Sequence, residues 1–274
     1  MPELPEVETV ARCLRRHLLG DTVTKAHVLL ERTIASPDAK AFSKRIQGRR
    51  FASFGRRGKY LLVGLEPGGW LVVHFGMSGR LRIIDAGDSP AKHTRLLLEL
   101  ASGRDVLLDD QRTFGHVWLV DDPETVTEGL GPEPLSEQWT LERLAGDLQA
   151  RRRMIKPLLL DQSFVAGLGN IYVDEALHRA RLHPAVPADR LSGEDVARLY
   201  GAIRSVLREA IEHEGTTLRD FRVPDGDAGR HQLALRVYGR EGEPCESCGS
   251  AIIKIRLAQR GTHYCPVCQP PPAP

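Results

Sequence analysis

Cys245 and Cys248 in CESC, and Cys265 and Cys268 in CPVC, form two close pairs separated by sixteen residues. Each pair can clasp one side of a tetrahedron, and four thiolates close the shell of a structural Zn²⁺ with no position left for catalysis. The segment between them alternates as strands do and carries a turn signal at Gln259-Arg260-Gly261. The spacing therefore predicts a zinc-pinned β-hairpin with Arg260 at its tip. At the other end the chain opens MPELPE. Removal of the initiator Met leaves Pro2 with a secondary amine, whose ordinary pKa near ~8 gives a neutral, nucleophilic fraction at cellular pH. Glu3 and Glu6 lie beside it. Carboxylates there either move protons or answer the dipole of a helix beginning at that point. Nothing else in the chain asks for a catalytic metal or a nucleotide.

These groups need a frame. Leu4, Val7, Val10, Leu14 and Leu18 recur at helical spacing with Gly20 as a stop, which predicts an amphipathic first helix whose N-terminus carries Pro2. Cys13, outside the two pairs, falls on that helix, a place that suggests packing. From Thr22 to Val120, YLLVGL, WLVVHF, RLRII, TRLLLEL, DVLLDD and HVWLV alternate with turns and read as strands of a sandwich or barrel, two of them joined at ASGRD. GLGPEPLSEQW reads as a linker. Residues 140–215 read as several helices. One ends near LLLDQSFVAGLGN, one begins at about Asn170, and one starts behind Ser192 as a cap. The tail QPPPAP is expected to be disordered.

At 274 residues the chain has room for more than one domain, and its net charge of +2 does not by itself announce a nucleic-acid partner. The charge is nevertheless segregated. Arg56, Arg57 and Lys59 form one basic group, Arg151, Arg152, Arg153 and Lys156 a second, and Lys254, Arg256 and Arg260 a third. The stretch from Thr113 to Glu142 has no Lys or Arg at all. Such clusters suit phosphate, although each taken singly is better read as a solvated helix face. No apolar run reaches the ~20 residues of a membrane helix and the acidic start is unlike a signal peptide, so a cytoplasmic protein is expected.

MPELPEVETV, GRRGKYLL, HFGMSGRLR, DDQRTFG, DQSFVAGLGNIYVDEAL, GTTLRDF, VYGREGEPCESCG and AQRGTHYCPVCQ, in this order, resemble the bacterial formamidopyrimidine-DNA glycosylases from Met1 to Gln269. The resemblance implies an α+β multidomain fold. Its parts are an N-terminal β-sandwich with a flanking helix (1–131), a helix–two-turn–helix domain (132–230), a C-terminal zinc-finger β-hairpin (235–269) and a tail (270–274). It implies a monomeric DNA glycosylase and abasic-site lyase of base excision repair, acting on duplex DNA with oxidised purines and working at the nucleoid. Pro2 is then the Schiff-base nucleophile, Glu3 the general acid/base and Glu6 its support. Lys59 and Arg260 are the cations that aid β- and δ-elimination. Met77, Arg112 and Phe114 fill the void left by a flipped base, while His93, Arg151, Lys156 and Asn170 contact DNA. Two alternatives stay open: the endonuclease VIII-like sister group acting on oxidised pyrimidines, and a zinc-ribbon DNA-binding protein without chemistry. The chain departs from the family pattern where Gln111 and Thr113 flank Arg112, and where Glu214 replaces a frequent glycine before GTTLRDF. The loop from Arg219 to Gln232, which in relatives can close over the extruded base, is the least transferable part.

Overall fold

The computed structural model of the chain describes residues 2–85, 90–217, 221–226 and 228–272. It forms two compact units, Met1–Glu128 with Ile211–Gln232, and Gly129–Ala210 with Leu233–Pro274. Residues 211–232 thus belong with the first unit and not with the helices preceding them. Two long-range hydrogen bonds place them there: Thr216 donates its backbone N–H to Glu6, and Ile83 donates to the Pro224 carbonyl.

In the first unit the expected helix is α1, Leu4–Leu18. Pro5 suits its first turn, and Glu3 and Glu6 close a reciprocal capping box at its start. Leu4, Val7, Val10, Leu14 and Leu18 are all at most 2% exposed. Each such burial stabilises by roughly 1.5–3 kcal/mol. The strands are β1 (Val23–Val28), β2 (Ile34–Ser36), β3 (Arg50–Arg57), β4 (Tyr60–Glu66), β5 (Trp70–His74), β6 (Arg80–Asp85), β7 (Thr94–Leu100), β8 (Arg104–Asp109) and β9 (His116–Val120). They form two sheets, β1-β7-β8-β6 and β2-β9-β5-β4-β3. Apolar residues of both sheets and of α1 share one core, so the architecture is a sandwich and not a barrel. A helix α2 (Ala39–Ile46), absent from the sequence reading, is capped by Asp38, whose carboxylate accepts from Lys40 N and Ala41 N. A one-turn helix α3 spans Glu124–Thr127.

The second unit holds α4 (Leu141–Gln149), α5 (Ile155–Leu159), α6 (Asn170–Ala180) and most of α7 (Gly193–Glu212), followed by β10 (Ile253–Leu257) and β11 (Arg260–Tyr264). Ser192 caps α7 as expected, its hydroxyl accepting from Asp195 N at 3.2 Å. Two expectations are corrected. GLGPEPLSEQW is no linker: Trp139 is 1% exposed, and a Cβ on Gly131 would stand 2.6 Å from the backbone of Phe164. The hairpin turns at Ala258-Gln259, both at positive φ (45° and 66°), and Arg260 pairs with Leu257 as the first residue of the return strand. Ala273 and Pro274 of the tail, with Met1, Arg219 and Asp220, lie outside the described residues. Among the described residues no helix is long and apolar enough to cross a membrane.

Candidate active site and zinc centre

The N-terminus is fixed by α1 itself. Glu6 Oε2 accepts from the Glu3 backbone N–H at 2.8 Å, and the Glu3 carboxylate accepts from Glu6 N. The other oxygen of Glu6 accepts from Thr216 N at 2.8 Å. Glu6 is therefore a positioning residue that ties the start of the helix to the Gly215-Thr216 backbone. Glu3 is 3% exposed and Pro2 is buried. Residues this close to a chain end ordinarily fray, and here reciprocal hydrogen bonds hold Glu3 and Glu6. Gly215 has φ +81 and lies against Glu6. Glu214, the departure from the family pattern, adopts φ +59 beside it.

Lys59 occupies a two-residue hairpin turn with Gly58 (φ +55) between β3 and β4, a place normally solvated, yet it is only 6% exposed. Its charge reaches His74. Burial first, then the Lys59 ammonium and then His116, lowers His74 to about 4. The ring accordingly takes the acceptor role, its Nδ1 receiving the Gly76 N–H at 3.3 Å. A histidine depressed in the fold gives stability that is lost as pH falls from the ordinary value near 6.5 toward about 4. At pH 5 the loss is on the order of 2 kcal/mol. Urea denaturation at pH 7 and pH 5 should show a smaller pH-dependent loss for His74→Gln than for the parent; equal losses would contradict the assignment.

Met77, Arg112 and Phe114 come from two loops that the structure brings together. Asp110, 1% exposed, accepts from Ser78 Oγ at 2.6 Å and from Gly115 N at 2.7 Å, and Ser78 Oγ accepts from Arg112 N at 3.0 Å. Phe114 is 52% exposed with the Arg112 guanidinium 5.1 Å from its ring centroid. An exposed aromatic under an arginine is an unusual surface for a core residue and a usable one for stacking on a base. Thr113 sits at φ +55 and accepts from Arg32. His93 adjoins the same loop, its carbonyl accepting from Asp110 N at 2.9 Å. Ser78 and Asp110 lie within HFGMSGRLR and DDQRTFG, but only the fold shows that they bridge two loops. Gly76 has φ +57, and a Cβ there would stand 2.4 Å from the Phe114 carbonyl carbon. Gly76→Ala is expected to cost about 2–4 kcal/mol, from the left-handed backbone plus overpacking, and to displace the loop. Unaltered urea stability would show that the two loops do not approach rigidly.

In the second unit Asn170 opens α6 and donates its Nδ2 to the Gly261 carbonyl at 2.9 Å; its Oδ1 is buried without a partner among the described residues. Lys156 corrects the sequence reading. Expected as a surface cation for phosphate, it is fully buried, with Nζ 2.6 Å from Asp174 Oδ1 and 3.1 Å from the Gly261 carbonyl. Asp174 Oδ2 accepts from His263 N at 2.9 Å. The constellation clamps the residue next to Arg260 onto α6, and Arg260 itself is exposed. The neighbouring Glu175 accepts the backbone N–H groups of Arg236, Val237 and Tyr238 at 2.8–2.9 Å; burial raises its pKa. Adjacent acids inside the apolar stretch IYVDEAL were the available signal for both. Arg151 stays on the surface, stacked 5.1 Å over the Phe164 ring.

The four cysteine sulfurs lie within 4.8 Å of one another, with Cys245–Cys268 at 3.9 Å and Cys248–Cys265 at 3.4 Å. Tetrahedral Zn–S bonds of about 2.3 Å require S···S near 3.8 Å, so the set fits zinc. His178 Nε2 stands 3.6 Å from Cys245 Sγ, placed by α6 to orient that thiolate.

A sandwich carrying a buried N-terminal proline, a helical unit and a four-cysteine hairpin clamped to it define a multidomain zinc-finger protein. The chain matches the formamidopyrimidine-DNA glycosylase N-terminal domain over residues 1–117, the formamidopyrimidine-DNA glycosylase H2TH domain over 130–222, and the zinc finger found in FPG and IleRS over 242–271. It is 48% identical to the formamidopyrimidine-DNA glycosylase of Pelotomaculum thermopropionicum, covering 98% of this chain and 99% of that one. It is 46% identical to that of Roseiflexus sp., covering 98% and 100%. Among solved structures, a Lactococcus lactis FPG mutant in complex with a Fapy-dG containing DNA is similar at TM-score 0.94 and 34% identity, over 98% of this chain and 100% of that one. The chain belongs to the formamidopyrimidine-DNA glycosylase family, and its C-terminal cysteines form the structural zinc site of that family's finger.

Proposed function

We propose that this protein is a DNA glycosylase that excises oxidised purines such as formamidopyrimidines and 8-oxoguanine, and that it also cleaves the resulting strand as a lyase. The observation that carries the reading is the N-terminus, with Pro2 held next to a buried Glu3 by the Glu6 carboxylate. The relatives' names and the Lactococcus lactis complexes with Fapy-dG and abasic-site DNA support the substrate class.

With Met1 removed, the Pro2 amine attacks the anomeric carbon as the base departs with the bond electrons and takes up a proton, and the alkylated nitrogen gives up its own proton, which restores its lone pair. The sugar C–O bond then breaks, with Glu3 protonating the ring oxygen, and the nitrogen lone pair forms an iminium. That iminium is charged without a further proton and acts as the electron sink. Loss of a C2′ proton expels the 3′ phosphate, a second elimination expels the 5′ phosphate, and water returns free Pro2. Lys59 is the buried cation assigned to these eliminations, and Arg260 is the exposed one for phosphate. Met77, Arg112 and Phe114 occupy the space of the flipped base, at the few kcal/mol that extrusion costs. His93, Arg151 and Asn170 are assigned to the DNA backbone, while Lys156 supports Arg260 from within. The zinc pins the hairpin and takes no part in the steps. The protein acts as a monomer on chromosomal DNA in the cytoplasm.

Borohydride trapping on a duplex with one 8-oxoguanine opposite cytosine, followed by peptide mapping, tests the reading. An adduct on Pro2 is expected. An adduct only with an oxidised pyrimidine would move the protein to the sister specificity, and none with either, despite binding, would overturn the chemistry.

A further inference from the structure

Cys13 and His17 stand one turn apart on α1, so their side chains share a face. Facing them is Asp225, at the third position of a turn Val223-Pro224-Asp225-Gly226. Gly226 N donates to the Val223 carbonyl at 2.8 Å, Gly226 has φ +105, and the Pro224 carbonyl accepts from Ile83 N of β6 at 2.9 Å. Proline at the second position and glycine at the fourth make this a rigid presentation of the carboxylate. Asp225 Oδ2 lies 3.5 Å from Cys13 Sγ and 3.6 Å from His17 Nε2, and the three ligand atoms all fall within 4.8 Å of one another.

We infer that Cys13, His17 and Asp225 form a second divalent-metal site, suited to Zn²⁺ and distinct from the four-cysteine finger. Tetrahedral zinc with bonds of about 2.3 Å to sulfur and ~2.1 Å to nitrogen and oxygen requires ligand separations near 3.5 Å, the spacing the two Asp225 contacts already have. Thiolate, imidazole and carboxylate together select zinc or cobalt over calcium or magnesium, which take oxygen donors. His17 and Asp225 have side chains 40% and 29% exposed, which gives the ion an entry from solvent, while buried Cys13 supplies the floor. The fourth position belongs to water. Binding releases the thiol proton to solvent and forms one bond to each side chain. It ties the turn at Asp225 to the helix whose first residues hold Pro2 and Glu3. The three ligand atoms converge whatever reaction the protein performs.

Cobalt titration of the full-length protein with its finger zinc in place tests it. The expected result is one equivalent of Co²⁺ bound with near-ultraviolet sulfur-to-cobalt absorption of single-thiolate intensity, lost in both Cys13→Ala and His17→Ala. His17 is partly exposed, so that variant keeps the fold even if Cys13→Ala loosens the core. No cobalt signal in the parent, or a signal undiminished in both variants because cobalt has entered the finger, would overturn the inference.

Discussion

A chain that retains Met1 is expected to form no borohydride-trapped adduct with lesion DNA while still binding it. In that chain Pro2 nitrogen is a tertiary amide with its lone pair delocalised into the carbonyl, so it cannot attack carbon. Pro2→Gly is the subtler variant. Its primary amine can form an imine, but only the protonated imine is an electron sink, and glycine frees the backbone that Glu3 and Glu6 otherwise fix. Trapping should fall by at least ~100-fold, equivalent to about 2.7 kcal/mol of barrier. Duplex affinity should stay within a few-fold of the parent, because binding is assigned to other residues. Trapping at parental yield in the Met1-retaining chain would remove Pro2 from the mechanism.

Asp174→Ala should be the most damaging substitution in the second unit. Lys156 and Asp174 are both fully buried at 2.6 Å. Removing the carboxylate strands an ammonium in the interior, at a cost of about 3–5 kcal/mol. The His263 N–H also loses its acceptor. Replacing both partners, as in Lys156→Met with Asp174→Leu, should restore most of that stability, since a buried pair is worth little more than well-packed apolar groups. It should not restore the clamp on the Gly261 carbonyl, half of which is the Lys156 ammonium. Urea denaturation of the parent, Lys156→Met, Asp174→Leu and the double variant, with Asp174→Ala beside them, gives the stabilities, and under the role proposed for Arg260 the yield of δ-elimination product reports its placement. A loss below ~1 kcal/mol in Asp174→Ala would mean the pair is not desolvated.

The contrast between Lys156 and Arg260 shows what was legible in the residues and what was not. Both belong to basic clusters, and a cluster in a sequence reads as a cation-rich surface. Whether a lysine faces water depends on its partner, and Asp174 lies eighteen residues away on a different helix. Similarly, GLGPEPLSEQW has the composition of a linker, but Trp139 and Gly131 are decided by the neighbours they pack against. The hairpin turn shifted by one position because Ala258 and Gln259 adopt positive φ, a conformation their residue types do not advertise.

What the sequence determined by itself is the chemistry that depends on residue type and short spacing. This covers the thiol pairs of the zinc site, the proline next to a carboxylate at the terminus, and the periodicity of α1, whose apolar face is legible because helical repeat and burial share one period. What only the tertiary structure decided is which distant groups meet. Asp110 joins the loops of Met77 and Phe114, Glu6 reaches Thr216, Lys156 and Asn170 converge on one carbonyl, and Asp225 returns to Cys13. Such contacts are fixed by the packing of elements far apart in the chain, a long-range quantity that no local pattern encodes.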